Sequence, residues 1–287
     1  MSQAPNAIQE VTSGLYDMPR EQYDAIEAIN MSCLLEGIGG GTMAHVRYAL
    51  DNERKGTQAQ LDGIARHEAC FEPEKFEAIY VQRPDGLDLR TKDGKAFKAE
   101  CEASGKTLLG VEVWASCIAI RDNCRENPWL RTRLEAPGSN EVAVIWRDPT
   151  SEVLCKGRLD RRYVLGDESG ILDLKTLSND YAGSEPFAKH VANYRDHIKA
   201  AWYLDALDAL SPCDRSFTWI AAEGSAPYMI ALYQPDPDML DEARRAYRSL
   251  LTRYAKCVES GIWPGYESDP QTLSLPKWAY FHRSAPQ

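Results

Sequence analysis

The chain has 287 residues, of which 44% are hydrophobic and 26% are charged, and its formal net charge is −10. A chain of this length and composition can bury the core of one large domain or two small ones. It contains no apolar run long enough to span a membrane, and residues 1–5 lack the basic and apolar regions of a signal peptide. We therefore predict a cytoplasmic protein without a membrane partner.

The predicted elements, in chain order, begin with a polar, proline-containing segment. Residues 1–20 are expected to be a flexible N-terminus, followed by a single domain at residues 21–287. The first half of that domain is predicted to contain helices at residues 22–35, 43–50, 58–70 and 108–123, with a charged loop at residues 83–98.

The second half alternates strands with helices. Strands are predicted at residues 141–147, 153–165, 170–176, 217–222 and 228–233, with a long helix at residues 187–210 and a last helix at residues 238–259. Helices on either side of a mixed sheet form an α/β sandwich, so we predict the α/β class.

The segments at residues 157–160 and 171–176 are predicted to form a hairpin that brings two carboxylates and a lysine together. Side chains of a strand alternate between faces, so Asp173 and Lys175 share one face, and Asp160 lies close to both across the hairpin. Two carboxylates hold a divalent metal through oxygen ligands, and a lysine beside the metal orients and helps to deprotonate an attacking water. A surface ion pair is the alternative, but the apolar neighbours of Asp173 predict burial, which is costly for an unpaired carboxylate.

This pattern resembles the PD-(D/E)xK nuclease superfamily, with Asp160 as the first acid and Asp173-Leu174-Lys175 as the acid-x-lysine element. Further segments are similar to the RecE-like (exonuclease VIII-type) exonucleases, which often come from phages and prophages. These segments are Gly63-x-x-x-His67 and residues 71–76, 155–160, 200–205 and 263–266. The resemblance implies a restriction-endonuclease-like core, in which helices flank a central mixed β-sheet.

The resemblance also implies a ligand set for the metal. Asp160, Asp173, the Leu174 carbonyl and His67 would bind Mg²⁺, and Mn²⁺ could substitute because it accepts an imidazole ligand more readily. A lone histidine on a helix is more often structural, so the role of His67 depends on the resemblance. Asp160, Asp173 and Lys175 are the implied catalytic residues. Glu141 and Thr176 are expected beside these ligands, although Glu141 could also hold a second metal or face solvent.

The activity implied is that of a magnesium-dependent exodeoxyribonuclease, which digests linear double-stranded DNA from its ends in the 5′-to-3′ direction. Its single-stranded product would serve DNA recombination by annealing. A RecT-type single-strand annealing protein is the implied partner, and a homo-oligomeric ring of three or four subunits is the implied assembly. The rival interpretations are a DNA-binding or scaffold protein that keeps the fold without catalysis, and a structure-specific endonuclease.

The acidic net charge does not exclude DNA binding, because a nuclease needs only a locally basic channel. Basic residues concentrate near the hairpin, namely Arg131, Arg133, Arg147, Lys156, Arg158, Arg161 and Arg162. Among them we predict Arg158 and Arg161 as DNA contacts. Lys199 and Tyr203 are added because they lie four residues apart on one helix face. At Lys199 the resemblance leads us to expect glutamine, and Tyr203 could equally be a core aromatic residue.

Overall fold

A mixed seven-stranded sheet forms the centre of the computed structural model, which describes residues 12–52, 56–177, 181–276 and 279. A separate two-stranded sheet pairs β3 with β4. The strands are β1 (Gly14–Tyr16), β2 (Ile29–Asn30), β3 (Tyr80–Gln82), β4 (Thr107–Leu109), β5 (Gly138–Arg147), β6 (Leu154–Leu165), β7 (Glu168–Leu177), β8 (Ser216–Glu223) and β9 (Ile230–Tyr233).

Helices cover both faces of the sheet. They are α1 (Arg20–Asp24), α2 (Met31–Leu34), α3 (Met43–Asp51), α4 (Gln58–Phe71), α5 (Pro73–Ile79), α6 (Lys92–Ala103), α7 (Val111–Glu126), α8 (Pro128–Glu135), α9 (Ser184–Tyr194), α10 (Asp196–Leu210) and α11 (Pro237–Ser260). A 3₁₀ turn at Leu35–Gly37 follows α2. Among the described residues, no helix combines the length and the apolar character needed to cross a lipid bilayer.

The sheet order is β1-β5-β6-β7-β8-β9, with β2 added beside β6. Strands β5, β6 and β7 are antiparallel neighbours, whereas β8 runs parallel to β7. A parallel neighbour requires a crossover, and α9 and α10 supply it. One core lies between the sheet and α10 and α11, and a second lies between the sheet and α4, α7 and α8. The predicted α/β fold, a central mixed sheet flanked by helices, is confirmed.

Residues 22–35 do not form the single helix that was predicted. Instead, α1, β2 and α2 follow one another, because the buried Lys156 ammonium donates hydrogen bonds to the carbonyls of Tyr23, Asp24 and Ile26. Those carbonyls are thereby drawn away from a continuous helix. Within the segment predicted as a flexible N-terminus, residues 14–16 form β1 and pair with β5. Residues 1–11 of that segment lie outside the described part of the chain.

The loop predicted at residues 83–98 is also partly wrong, because α6 begins at Lys92. The side chain of Thr91 accepts a hydrogen bond from the Gly94 N–H and so caps the helix. A charged composition obscured this helix, since its apolar face is narrow. The prediction therefore failed where a capping threonine, rather than hydrophobic periodicity, marks the start of the helix.

The long helix predicted at residues 187–210 is two helices, because Arg195 adopts a left-handed conformation with φ 55°. Neither glycine nor proline marks this break in the sequence. The guanidinium of Arg195 occupies the space that a side chain on Gly39 would need. As a result α10 begins at Asp196, beside strand β7.

Candidate metal and catalytic site

Strands β6 and β7 separate at the candidate site. Their paired register runs from Leu165↔Glu168 to Arg161↔Leu172, and beyond it β7 continues beside β8. The backbone N–H of Leu174 donates instead to the Asp160 carboxylate, at 2.9 Å. Asp160 therefore lies in the opening between two strands, where its carboxylate replaces a sheet hydrogen bond.

Three side chains place possible metal ligands around this opening. Atoms of His67, Glu141 and Asp160 all lie within 4.8 Å of one another. His67 comes from α4, and its Nδ1 is 3.1 Å from Asp160 Oδ2. Glu141 lies on β5, level with Asp160 on β6, because the register pairs Asn140 with Arg161 on one side of them. Two carboxylates and an imidazole are a donor set that suits Mg²⁺ or Mn²⁺.

Glu141 departs from ordinary strand geometry. Its φ is 48°, a left-handed conformation that a non-glycine residue adopts at a cost. Its carboxylate lies 2.9 Å from the Arg158 guanidinium. Burial and the nearby Asp160 charge raise the pKa of Glu141 above its ordinary value. Strained backbone beside clustered acids is typical of a functional site.

His67 and Asp160 form a partly buried ion pair. Burial alone would lower the pKa of the His67 imidazole, but the Asp160 charge and hydrogen bond raise it to about 9. Burial alone would raise the pKa of the Asp160 carboxyl. The charge and the hydrogen bond of His67 nevertheless keep this pKa below its ordinary value. Each residue therefore holds the other in its charged form.

A second group of charges connects strand β7 with the start of helix α10. Lys175 Nζ is 2.5 Å from Asp173 Oδ2 and 3.9 Å from Asp196 Oδ1. Burial raises the pKa of Asp173 to about 6. Burial would lower the pKa of Lys175, but the charges of Asp173, Asp196 and Asp160 raise it above its ordinary value. Lys175 is therefore a protonated ammonium at neutral pH.

The structure thus brings Asp160, Asp173 and Lys175 close together, in agreement with the hairpin geometry that was expected. Asp173 is not a member of the three-residue ligand group, and its carboxylate is directed towards Lys175. Glu141, which was expected beside the ligands, is a member. Thr176 follows Lys175 directly in the sequence, and its Oγ1 is buried without a hydrogen-bond partner in the described residues.

Arg161 was predicted as a DNA contact, and the structure corrects this. Its side chain is buried and donates to Asn140 Oδ1 at 2.8 Å and to the carbonyls of Arg133 and Ala136. Lys156 of the predicted basic channel is likewise buried. Both side chains are buried and donate to oxygens of the fold instead of extending into solvent, where a DNA phosphate would lie.

Arg158, the other basic residue predicted to bind DNA from this hairpin, is paired with Glu141 and donates to the Met18 carbonyl. Its guanidinium is therefore directed at the ligand group. A DNA contact by Arg158 stays a prediction. Arg133 of the same predicted channel is paired with Glu168.

Lys199 and Tyr203 both lie on α10 near the charged groups. Lys199 Nζ is 3.0 Å from Asp196 Oδ1. The Tyr203 ring packs against Gly157, where an added Cβ would lie 2.9 Å from Tyr203 Cε1. Burial raises the pKa of Tyr203, and the charge of Asp173 adds to this effect. DNA contacts by these two residues stay predictions.

Asp196 was missed by the sequence reasoning. Its carboxylate is buried and contacts Lys175, Lys199 and His190. The available signal was its position three residues before Lys199, the spacing of an ion pair on a helix. Asp196 was overlooked because the predicted helix at residues 187–210 placed it in the middle of a helix, whereas α10 begins at this residue.

The acid-x-lysine strand, the divided sheet and the acidic ligand group together define a PD-(D/E)xK-type domain. The chain belongs to the family described as "PDDEXK-like domain of unknown function (DUF3799)", whose model matches residues 41–271. No curated protein sequence matches this chain significantly.

Two solved structures are similar to this chain. One is the crystal structure of a "putative exonuclease" from Eubacterium rectale, with a TM-score of 0.60 and 14% identity over 91% of this chain and 96% of that protein. At this identity the likeness shows a shared fold. The other is the crystal structure of SSO0001, with 13% identity, a TM-score of 0.28 and coverage of 67% of this chain and 87% of that one. A TM-score this low does not establish a shared fold.

Proposed function

We propose that this chain is a metal-dependent exodeoxyribonuclease of the RecE-like type, which degrades linear double-stranded DNA from its ends in the 5′-to-3′ direction. One observation carries the proposal. Where β6 and β7 separate, the group of His67, Glu141 and Asp160 meets the pair of Asp173 and Lys175. Membership of a PDDEXK-like family supports phosphodiester hydrolysis as the reaction.

The ligand group fits a hard divalent cation. His67, Glu141 and Asp160 would hold Mg²⁺, and Mn²⁺ could substitute. Asp173 and the Leu174 carbonyl complete the ligand set implied by the resemblance. When bound, the cation polarises the phosphate and lowers the pKa of a coordinated water. His67 must present a neutral nitrogen as a ligand, so it gives up the proton that Asp160 otherwise stabilises.

The role of Lys175 follows from its protonated state. A general base must lose its proton near the working pH, whereas three surrounding carboxylates keep Lys175 charged. It therefore donates hydrogen bonds, and it places a fixed positive charge where the phosphate gains negative charge. We expect Lys175 to orient the attacking water or a phosphate oxygen rather than to remove a proton.

The wider setting of the proposal rests on the resemblance to RecE-like exonucleases. Digestion of one strand would expose the other for recombination by annealing. A RecT-type annealing protein would be the partner. A homo-oligomeric ring of three or four subunits in the cytoplasm would carry out the digestion.

Digestion of linear and closed-circular duplex DNA of the same sequence tests the proposal. With Mg²⁺ and a 5′-end label, the linear form should be degraded from its ends, while the closed circle and all samples with a chelator stay intact. Cleavage of the closed circle would indicate an endonuclease. Binding without cleavage of either form would indicate a scaffold, and equal cleavage with chelator would exclude the metal. Lys175→Ala serves as the control for a contaminating nuclease.

A further inference from the structure

Asp196 is a buried carboxylate outside the metal-ligand group. Its exposed fraction is 2%. Its Oδ1 lies 3.0 Å from Lys199 Nζ and 3.9 Å from Lys175 Nζ, and its Oδ2 lies 3.5 Å from His190 Nε2. One carboxylate thus joins a lysine of strand β7 to a lysine of helix α10.

A structural role at the start of α10 does not account for these contacts. Asp196 lies in the first turn of that helix, where a negative charge is favourable. A capping carboxylate accepts hydrogen bonds from helix N–H groups. In the described part of the chain, however, Asp196 accepts hydrogen bonds from the Lys199 and His190 side chains, and Lys175 lies nearby. Its partners are the cations of the site.

The two lysines are held as a pair. Because both contact the same oxygen, their ammonium nitrogens are at most about 7 Å apart. Their side chains are 18% and 27% exposed, whereas Asp196 lies beneath them. A phosphate that accepts a charge-assisted hydrogen bond of about 2.8 Å on each of two oxygens can bridge such a gap.

We propose that Asp196 is a positioning residue that holds Lys175 and Lys199 side by side, so that both ammonium groups contact oxygens of one phosphate in the DNA substrate. This inference rests on the proposed function, because it takes DNA as the substrate of the site. Lys199 stands where the resemblance leads us to expect glutamine. It gives this chain a second cation, and Asp196 balances that charge when no phosphate is bound.

Asp196→Asn separates positioning from folding. The substitution keeps the shape of the side chain but removes the charge that aims the lysines. With one anion fewer, the affinity for duplex DNA should stay at least as high as in the wild type, while cleavage slows at least tenfold. A loss of folding would instead weaken binding and cleavage together. The two measurements are duplex binding in Ca²⁺, which blocks cutting, and single-turnover cleavage in Mg²⁺.

Asp205→Asn is the matched control. Asp205 lies on the same helix and is paired with two cations, Arg244 at 3.0 Å and Arg248 at 3.1 Å, away from the site. The Asp205→Asn substitution should lower the thermal stability of the protein without slowing DNA cleavage by the folded protein. Equal cleavage rates for Asp196→Asn and Asp205→Asn would overturn the positioning role. Weakened DNA binding by the folded Asp196→Asn protein would also overturn the positioning role.

Asp196→Glu covers the case in which Asp196→Asn does not fold. It keeps the charge but moves the carboxylate by one methylene, so cleavage should slow while DNA affinity is retained. Wild-type cleavage by Asp196→Glu would then overturn the inference. An inactive wild type that still binds DNA would contradict the proposed function alone, and the binding comparison would still decide the role of Asp196. A wild type that does not bind DNA would overturn both.

Discussion

The backbone N–H of Leu174 donates a hydrogen bond to the Asp160 carboxylate across the point where β6 and β7 part. In a continuous ladder this N–H would pair with a carbonyl of the neighbouring strand. Here a side chain takes the place of that carbonyl, so the carboxylate is fixed at one oxygen. Leu174 lies between Asp173 and Lys175, and the same bond therefore ties the acid-x-lysine strand to the ligand group.

The ligand group predicts how substitutions change metal binding. Asp160→Asn should weaken Mg²⁺ or Mn²⁺ binding more than Glu141→Gln does, because Asp160 contacts both His67 and Leu174. We expect losses of more than about tenfold in affinity for each variant. Calorimetric titration of the purified proteins measures this. Unchanged affinity in Asp160→Asn would show that the cation binds elsewhere.

Asp173 and Lys175 should separate metal binding from chemistry. Asp173→Ala is expected to weaken metal binding and abolish cleavage. Lys175→Ala removes a cation that is not a ligand, so it should keep most of the metal affinity and slow cleavage by roughly 10²-fold or more, as expected when one donor to the developing charge is lost. Metal titration and single-turnover cleavage test both variants. Cleavage by Lys175→Ala at the wild-type rate would mean that this ammonium does not act in the reaction.

Apart from His67, which was expected from the resemblance, the parts of the site that the sequence predicted lie within one hairpin. Alternation along a strand places Asp173 and Lys175 on one face, and a short turn brings Asp160 near them. Glu141 was expected only beside the ligands, and Asp196 was not predicted at all, for a different reason. Each depends on a left-handed residue, Glu141 itself and Arg195, and neither carries the glycine that normally marks such a conformation.

Two residues of the predicted basic channel, Lys156 and Arg161, are buried, and this was not predicted because the sequence does not show in which direction a basic side chain extends. The sequence suggests surface cations at Lys156 and Arg161, but each is buried and donates hydrogen bonds to backbone carbonyls of the fold. Tertiary packing decides such cases, since a buried carbonyl requires a hydrogen bond. Periodicity located strands β5 to β8 well, but it gives no information on this requirement.

Arg161→Met should therefore destabilise the fold and leave DNA binding by folded protein unchanged. The carbonyls of Arg133 and Ala136 would lose their donors, which costs roughly 2–4 kcal/mol in the free energy of unfolding. The slope of log affinity against log salt should stay at the wild-type value. By comparison, Lys199→Gln should lower that slope by about one unit. A lower slope in Arg161→Met would restore this residue as a DNA contact.

The contacts of Asp196 predict an acid-dependent stability. Although burial raises the pKa of Asp196, the charge of Lys175 and the hydrogen bonds from His190 and Lys199 lower it well below its ordinary value. A carboxylate whose pKa is lower in the folded than in the unfolded state stabilises the fold above its unfolded pKa, about 3.9, and loses this effect as the pH falls further. The wild type should therefore be more stable than Asp196→Asn at pH 6, and the difference in the free energy of unfolding should shrink by about 1.4 kcal/mol for each pH unit below about 4.

Urea unfolding of both proteins at a series of pH values measures this difference. If it were the same at the two ends of the series, Asp196 would not be held as a charged group by the two lysines.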